Sequence, residues 1–284
     1  MPGETHRSRC IQRCGKRLAR RVAFQTWHKT GTKLATFFAN EVSLVCEYGF
    51  SFGRPYFRLA TRPCHWMLIR SGLNGNTLVG QKPANETVFI HFIRNPFDIV
   101  ASAYTFHRRG QECDTGQFRR ICKEIAELPL AQGVIQMARL LLRYEIPLMT
   151  QQHRALHGRG DTYTSRLESW NHDYRHEALA LLRFLRIEPE SQVYPAIQAR
   201  LERGNPAVAS RISSHINPRQ NSTSAAIYAA LYSIPEICGA IGGYATALGY
   251  AHSHVAAVSI CLNPQLALAS AALIDSPGDL RMQQ

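Results

Sequence analysis

One short stretch of the chain combines a lysine, two threonines and a glycine in an order suited to binding an anion. An apolar lead-in at 21–24 runs into Lys29-Thr30-Gly31-Thr32, and an apolar run with helical character follows at 34–45. The pattern predicts a strand, a tight glycine turn and the start of a helix. Backbone N–H groups of such a turn, together with a helix N-terminus, form an anion site. Lys29 adds a positive charge and the threonines add hydroxyl donors, so we expect phosphate binding here.

A second stretch offers an arginine and a serine at the end of another predicted strand. Residues 88–93 form an apolar run rich in β-branched and aromatic residues, which is typical of a strand buried on both faces. Arg94 follows directly, and Asn95 and Pro96 fit the cap and first turn of a helix. Ser102 lies about two helical turns beyond Arg94. A guanidinium and a hydroxyl that converge there would suit a second phosphate group.

Together the two stretches resemble the sulfotransferases that use 3′-phosphoadenosine-5′-phosphosulfate (PAPS). In that family a Lys-x-Gly-Thr loop binds the 5′-phosphosulfate, and an Arg-(Asp/Asn)-Pro segment that ends in serine binds the 3′-phosphate. The resemblance continues more weakly at 162–170, 179–187 and 248–250, and therefore covers roughly residues 21–250. It implies that PAPS is bound by the following residues: Lys29, Thr30, Gly31, Thr32, Lys33, Arg94 and Ser102.

The family also implies a fold and a reaction. The fold is α/β, a P-loop-NTPase-like three-layer arrangement with a central parallel sheet flanked by helices. The reaction is transfer of a sulfuryl group from PAPS to a hydroxyl or amine acceptor, expected to be a carbohydrate or another small molecule. PAPS is the co-substrate and PAP the product, and this chemistry requires no metal.

The chain departs from the family pattern at several positions. Lys33 stands where a second hydroxyl residue is common, which removes a phosphate donor and adds a charge. Leu167 replaces a common aromatic residue in the third motif. The Arg-Lys-Gly triplet that contacts the 3′-phosphate in the soluble branch is missing, and Arg211 or Arg219 are its candidate substitutes.

The catalytic groups are less clearly marked than the donor site. Lys29 is the first candidate for stabilising the charge that develops on the bridging oxygen. A base must also accept the proton of the attacking group. Glu41, on the helix after the loop, and His28, beside the loop, are the leading candidates. Three further residues are possible bases: Glu47, His65 and His107.

The surrounding elements must place these residues at one edge of a sheet. Apolar runs at 21–26, 88–93 and about 161–167 are each followed by a helical pattern, and a further strand is expected near 66–69. Alternating strands and helices predict a parallel sheet with right-handed crossovers. The segment 108–130 is expected to contribute to an acceptor pocket.

Composition bounds the class of protein. A chain of 284 residues with 45% hydrophobic and 19% charged residues is globular. The net charge of +13 implies an anionic partner but does not distinguish a nucleotide from nucleic acid. We expect a basic tail at 1–20, one sulfotransferase domain at 21–250 and an apolar appendage at 251–284. With no clear membrane span, the expected location is cytoplasmic, or the Golgi lumen if the chain is incomplete at its start. The eight cysteines show no zinc spacing, and buried free thiols are the default expectation.

Three other functions remain to be compared. A P-loop kinase is disfavoured because Thr26 stands where the first glycine belongs and Leu34 replaces the hydroxyl ligand of magnesium. A basic module that binds nucleic acid or another polyanion would explain the charge but not the two motifs. A degenerate sulfotransferase that binds PAP or PAPS without turnover is compatible with both the positive charge and the two motifs.

Overall fold

The described part of the chain alternates strands and helices. The computed structural model describes residues 21–27, 29–46, 49–52, 66–71, 87–113, 118–187, 189–190, 193–205 and 222–250. Within these ranges the strands are β1 (Arg21–Thr26), β2 (Gly49–Phe52), β3 (Trp66–Ser71), β4 (Thr87–Ile93) and β5 (Thr162–Arg166). The helices are α1 (Thr32–Cys46), α2 (Pro96–Arg108), α3 (Phe118–Glu127), α4 (Leu130–Leu156), α5 (Leu167–His172), α6 (Tyr174–Phe184), α7 (Tyr194–Glu202), α8 (Ser222–Tyr232) and α9 (Pro235–Ala247).

The five strands form one parallel sheet in the order β2-β3-β1-β4-β5. β1 is the central strand, with β3 and β4 on either side of it, and β4 is buried along nearly its whole length, as its apolar run predicts. The prediction of a parallel α/β sheet is confirmed, with strands at 21–26, 66–69, 88–93 and 161–167 found within one or two residues of their expected bounds. The strand β2 was not predicted.

The described chain divides into two compact units. The first holds the sheet, α1, α5 to α7 and the end of α4, and consists of the described residues up to Arg94 and from Leu148 to Asn205. The second holds α2, α3, most of α4, α8 and α9, and consists of the described residues from Asn95 to Pro147 and from 222 to 250. The division falls within α4, at Pro147.

In the first unit, helices cover both faces of the sheet. One face carries the larger core, in which Phe24, Ile90 and Phe92 pack with α1, Trp170 and α6. On the opposite face, Ala23 of β1 and Phe89 of β4 pack against Leu156 of α4. Side chains alternate between the two faces along each strand. Gln25 and His91, two positions beyond Ala23 and Phe89, therefore also lie on the face that α4 covers.

The second unit is helical, and α2 is its central element. Asn95 caps α2 by accepting the N–H of Phe97 at 3.0 Å, Pro96 is the first helical residue and Asp98 lies in the first turn. This confirms the predicted helix start. Helix α2 packs against α3, α8 and α9, and the hydroxyl of Tyr228 donates to the Asp98 carboxylate.

Two regions of the sequence analysis lie outside the described residues, namely the basic tail at 1–20 and the appendage at 251–284. Among the described helices, none is by itself long and apolar enough to cross a bilayer. Residues 224–232 and 235–247 reach that length and hydropathy only as a pair, and they are bent by 104° at the break between them.

Candidate anion-binding site at the carboxyl edge of the sheet

The two predicted motifs meet where the strand order reverses. The strands that follow β1 in the chain, β2 and β3, lie on one side of it, whereas β5, which follows β4, lies on the other. The loop after β1 and the residue after β4 therefore leave neighbouring strands at the same edge. In open α/β sheets, ligands bind outside the carboxyl ends of the strands at such a reversal.

We call Trp27 together with residues 29–32 the β1 loop, and its shape is set by hydrogen bonds to Trp27. The Trp27 carbonyl accepts the N–H of Thr30 at 3.1 Å and the Thr30 hydroxyl at 2.9 Å. The N–H of Trp27 donates back to the Thr30 hydroxyl oxygen at 2.7 Å. Thr30 has no exposed surface. In this structure the Thr30 hydroxyl and N–H both close the loop, and a contact of Thr30 with a bound anion stays a prediction.

Two residues of the β1 loop have the left-handed backbone conformation. Lys29 has φ of 60° and Gly31 has φ of 103°. A Cβ on Gly31 would lie 3.2 Å from Cδ1 of Leu167, so the loop also packs closely against the start of α5. Thus Leu167, which departs from the family pattern, contacts the loop at its glycine. A non-glycine residue held at positive φ costs about 1–2 kcal/mol, and such strain is concentrated at functional sites.

Thr32 and Lys33 begin α1 directly after the loop. The Thr32 hydroxyl donates to Oγ1 of Thr26 at 3.0 Å and remains half-buried, whereas Lys33 is exposed. The first turn of a helix leaves its N–H groups without partners inside the helix. Lys29, Lys33 and this first turn are therefore the groups of the loop and helix start that can attract an anion.

Arg94 contacts the β1 loop directly. Its guanidinium NH1 donates to the carbonyl oxygen of Lys29 at 3.1 Å, and the side chain is half-buried. The structure thus brings together two predicted residues that lie 65 positions apart in sequence. Ser102 lies on α2 in the second unit.

A third cation ends the next strand of the sheet. Arg166 is the last residue of β5 and pairs in register with Ile93, the residue before Arg94. Lys29, Arg94 and Arg166 therefore lie at or just after the carboxyl ends of three adjacent strands. Arg166 is a candidate site residue that sequence reasoning missed, although its place at the end of a predicted strand was a usable signal.

The predicted base Glu41 is engaged in an ion pair. Its Oε2 accepts from Nε of Arg200 at 2.6 Å and from a guanidinium nitrogen of Arg203 at 3.3 Å, which joins α1 to α7. Glu41 lies nine residues beyond Thr32, about 13 Å along the helix axis at the usual rise per residue. Glu41 thus lies on the helix after the loop, as expected, and its ion pairs give it a role in helix packing, while its role as a base stays a prediction.

Of the other four predicted bases, the structure describes only His107. His28, Glu47 and His65 lie outside the described residues. His107 is buried near the end of α2 in the second unit, where its ring stacks on Phe118 at 4.2 Å.

The expectation of free thiols is wrong for every cysteine that the structure describes. Cys113 and Cys122 form a disulfide, and Cys46 and Cys238 are also disulfide-bonded. The ligand atoms of His107, Cys113 and Cys122 lie within 4.8 Å of one another, but the two sulfur atoms are bonded to each other. This group is therefore a histidine beside a disulfide.

Comparison with known proteins yields structural likenesses alone. No protein-family model and no curated protein matches the chain. Among solved structures it is similar to a mouse sulfotransferase, SULT7A1, complexed with PAP, with 11% sequence identity and a TM-score of 0.43. That likeness covers 79% of this chain and 80% of the other.

Proposed function

We propose that this chain is a sulfotransferase of P-loop-NTPase-like fold that takes a sulfuryl group from PAPS and transfers it to a hydroxyl or amine acceptor, of which a carbohydrate is the expected class. The observation that carries the proposal is the 3.1 Å contact between Arg94 and the Lys29 carbonyl. It joins the two motifs of the PAPS resemblance at the reversal point of the sheet, where α/β proteins bind their ligands.

The groups at this edge suit the chemistry of sulfuryl transfer. A bond forms between the acceptor oxygen or nitrogen and sulfur, the bond from sulfur to the bridging oxygen breaks, and the acceptor proton leaves to a base. Negative charge develops on the bridging oxygen, as it does on the leaving group in phosphoryl transfer. The Lys29 ammonium and the N–H groups of the first turn of α1 would stabilise that charge. Arg94 would bind the other phosphate of the nucleotide through its guanidinium.

Calorimetric titration with PAP tests the donor site. We expect Lys29→Ala and Arg94→Ala each to weaken PAP binding about 10- to 100-fold, the usual effect of removing a hydrogen bond to a charged group. Lys123→Ala removes an exposed lysine of α3 and serves as the matched control, with unchanged affinity expected. Wild-type affinity in both site variants, or no PAP binding by the wild type, would contradict the proposal.

A PAP-binding protein without turnover is the second candidate. The observation that favours it is the ion pair of Glu41 with Arg200 and Arg203, which occupies the leading candidate base. Transfer of labelled sulfate from PAPS to a panel of glycans, phenols and amines separates the two. Labelled product supports the enzyme, whereas PAP binding without product across the panel supports the second candidate. A polyanion-binding module would bind heparin but show no affinity for PAP.

A further inference from the structure

We infer that His91 is a positioning residue of the β1 loop: its neutral imidazole accepts a hydrogen bond from Trp27 and thereby holds the loop in its binding conformation. The inference deepens the proposed function, on which it rests only for the identity of the ligand.

Trp27 is the residue on which the loop depends. It has no exposed surface, and its backbone carbonyl and N–H take part in the three hydrogen bonds that close the loop with Thr30. The Thr32 hydroxyl also lies 3.3 Å from the same carbonyl oxygen. A movement of Trp27 would therefore displace Thr30 and the start of α1 together.

His91 holds the side chain of Trp27 from β4. The indole N–H of Trp27 donates to Nε2 of His91 at 3.1 Å. Because an indole nitrogen only donates, Nε2 must be unprotonated, and the ring proton of a neutral histidine must then be on Nδ1. His91 has no exposed surface and lies opposite Gln25 of β1, so the bond is formed inside the sheet layer.

The surroundings of His91 disfavour a second proton. The ring of His153, on α4, lies 5.9 Å from that of His91, and His157 lies 5.1 Å from His153. Burial lowers the pKa of His91 to about 3, with a further contribution from His153. Burial likewise lowers the pKa of His153 to about 4, with contributions from His157 and from Arg166 at the end of β5.

The two residues that pair with His91 in the sheet are polar and uncharged. Gln25 of β1 and Thr164 of β5 pair with it in register, and Gln152 is buried on α4. Among the described residues, the groups that shift the pKa of either histidine include no carboxylate. His91 therefore stays neutral through the neutral range. A proton on Nε2 would replace the acceptor with a donor and break the bond to Trp27.

Two substitutions of His91 separate the hydrogen bond from packing. In His91→Gln the side-chain amide reaches the position of Nε2 and can still accept, whereas the shorter amide of His91→Asn reaches only the position of Nδ1. The chain has three tryptophans, so nitrogen-15 spectra contain three indole signals, and Trp27→Phe identifies the one from Trp27.

We expect the Trp27 indole proton to be protected from exchange in the wild type and in His91→Gln, and to exchange readily in His91→Asn. The imidazole nitrogen signals of wild-type His91 should show Nε2 unprotonated from pH 8 to pH 5. An exchange rate in His91→Asn equal to that of the wild type, or titration of His91 near pH 6.5, would overturn the inference. These measurements need no ligand, so they remain decisive even if PAP proves not to bind.

Affinity for PAP supplies the second readout. His91→Asn should weaken binding about 5- to 30-fold, the cost of leaving a buried donor unpaired, and His91→Gln should retain most of the affinity. The double variant Trp27→Phe/His91→Asn should lose no more than the larger single effect, because both changes remove one interaction. If the effects add fully, or if His91→Gln fails as badly as His91→Asn while both remain folded by circular dichroism, the hydrogen bond does not position the loop.

Discussion

The β1 loop and the connection after α2 both contain residues in the left-handed backbone conformation, but different bonds fix the two segments. The described part of the connection is residues 109–113. Each holds two residues at positive φ: Lys29 and Gly31 in the loop, and Gly110 and Glu112 in the connection. The β1 loop is closed by hydrogen bonds to a buried tryptophan. The connection is tied to α3 by the Cys113–Cys122 disulfide.

The two segments differ in which groups their bonds occupy and in which chemical change would break those bonds. Hydrogen bonds inside the β1 loop use Trp27 and Thr30, and the first turn of α1 that follows the loop has the N–H groups that can bind an anion. That arrangement depends on the protonation state of one buried histidine. The connection after α2 depends on a covalent bond, so its sensitivity is to the oxidation state of sulfur.

The largest effect should come from removing the disulfide. Cys113→Ser and Cys122→Ser each open a covalent loop between residues nine positions apart, which should lower the free energy of unfolding by about 2–3 kcal/mol through loop entropy. Denaturant unfolding under oxidising conditions measures it. Arg120→Ala, which removes an exposed ion pair with Glu124 on the same helix, is the control, with a change of about 0.5 kcal/mol or less expected. Equal effects in the cysteine and control variants would show that the bridge does not stabilise the protein.

The sequence predicts the strands and helices that form the site, but only some of the contacts between its side chains. The apolar runs gave β1, β4 and β5, and the Asn95-Pro96 pair gave the start of α2, because these signals are local in the chain. The pairing of Glu41 with Arg200 joins residues 159 positions apart and follows from helix packing. No local pattern reports such a contact.

Thr30 and His91 show a second limit. The sequence of a glycine loop is the same whether the hydroxyl of its threonine contacts a ligand or, as here, the carbonyl of Trp27. His91 interrupts an apolar strand, and its partner is the tryptophan of the neighbouring strand's loop, 64 residues away. The pairing of Cys113 with Cys122 was equally hidden, since spacing alone does not determine connectivity.

Lowering the pH should reduce the free energy of unfolding through His91, which supports the β1 loop, and through its neighbour His153. The pKa values of His91 and His153 are lowered in the folded protein to about 3 and about 4, whereas both histidines titrate near 6.5 when unfolded. Unfolding therefore takes up protons below pH 6.5. The stability contribution is complete above that pH and is lost as the pH falls toward the folded values, by up to about 1.4 kcal/mol per pH unit for each histidine.

The slope of the unfolding free energy between pH 6.5 and pH 5 measures this effect. His91→Gln should reduce this slope by the contribution of one histidine. The control His172→Gln, at an exposed position on α5, should leave the slope unchanged. A His91→Gln protein with the wild-type slope would show that His91 already carries its proton in the folded state, which would also remove the basis of its bond to Trp27.

The smallest effect separates backbone strain from crowding in the two segments. Gly31 has φ of 103° and would place a Cβ 3.2 Å from Leu167, whereas Gly110 has φ of 74° with nothing within 4 Å of its Cβ position. Gly110→Ala should therefore show only the cost of the left-handed conformation, about 1–2 kcal/mol. Gly31→Ala should show that cost together with the displacement of Leu167, and it alone should weaken PAP binding.

A double-mutant cycle with Leu167→Ala isolates the crowding term. Shortening Leu167 makes room for the added methyl group, so the loss caused by Gly31→Ala should shrink toward the loss measured for Gly110→Ala. If Gly31→Ala costs no more than Gly110→Ala in the wild-type background, Leu167 does not constrain the loop. The β1 loop would then depend on the hydrogen bonds of Trp27 with Thr30 and His91, and not on packing against Leu167.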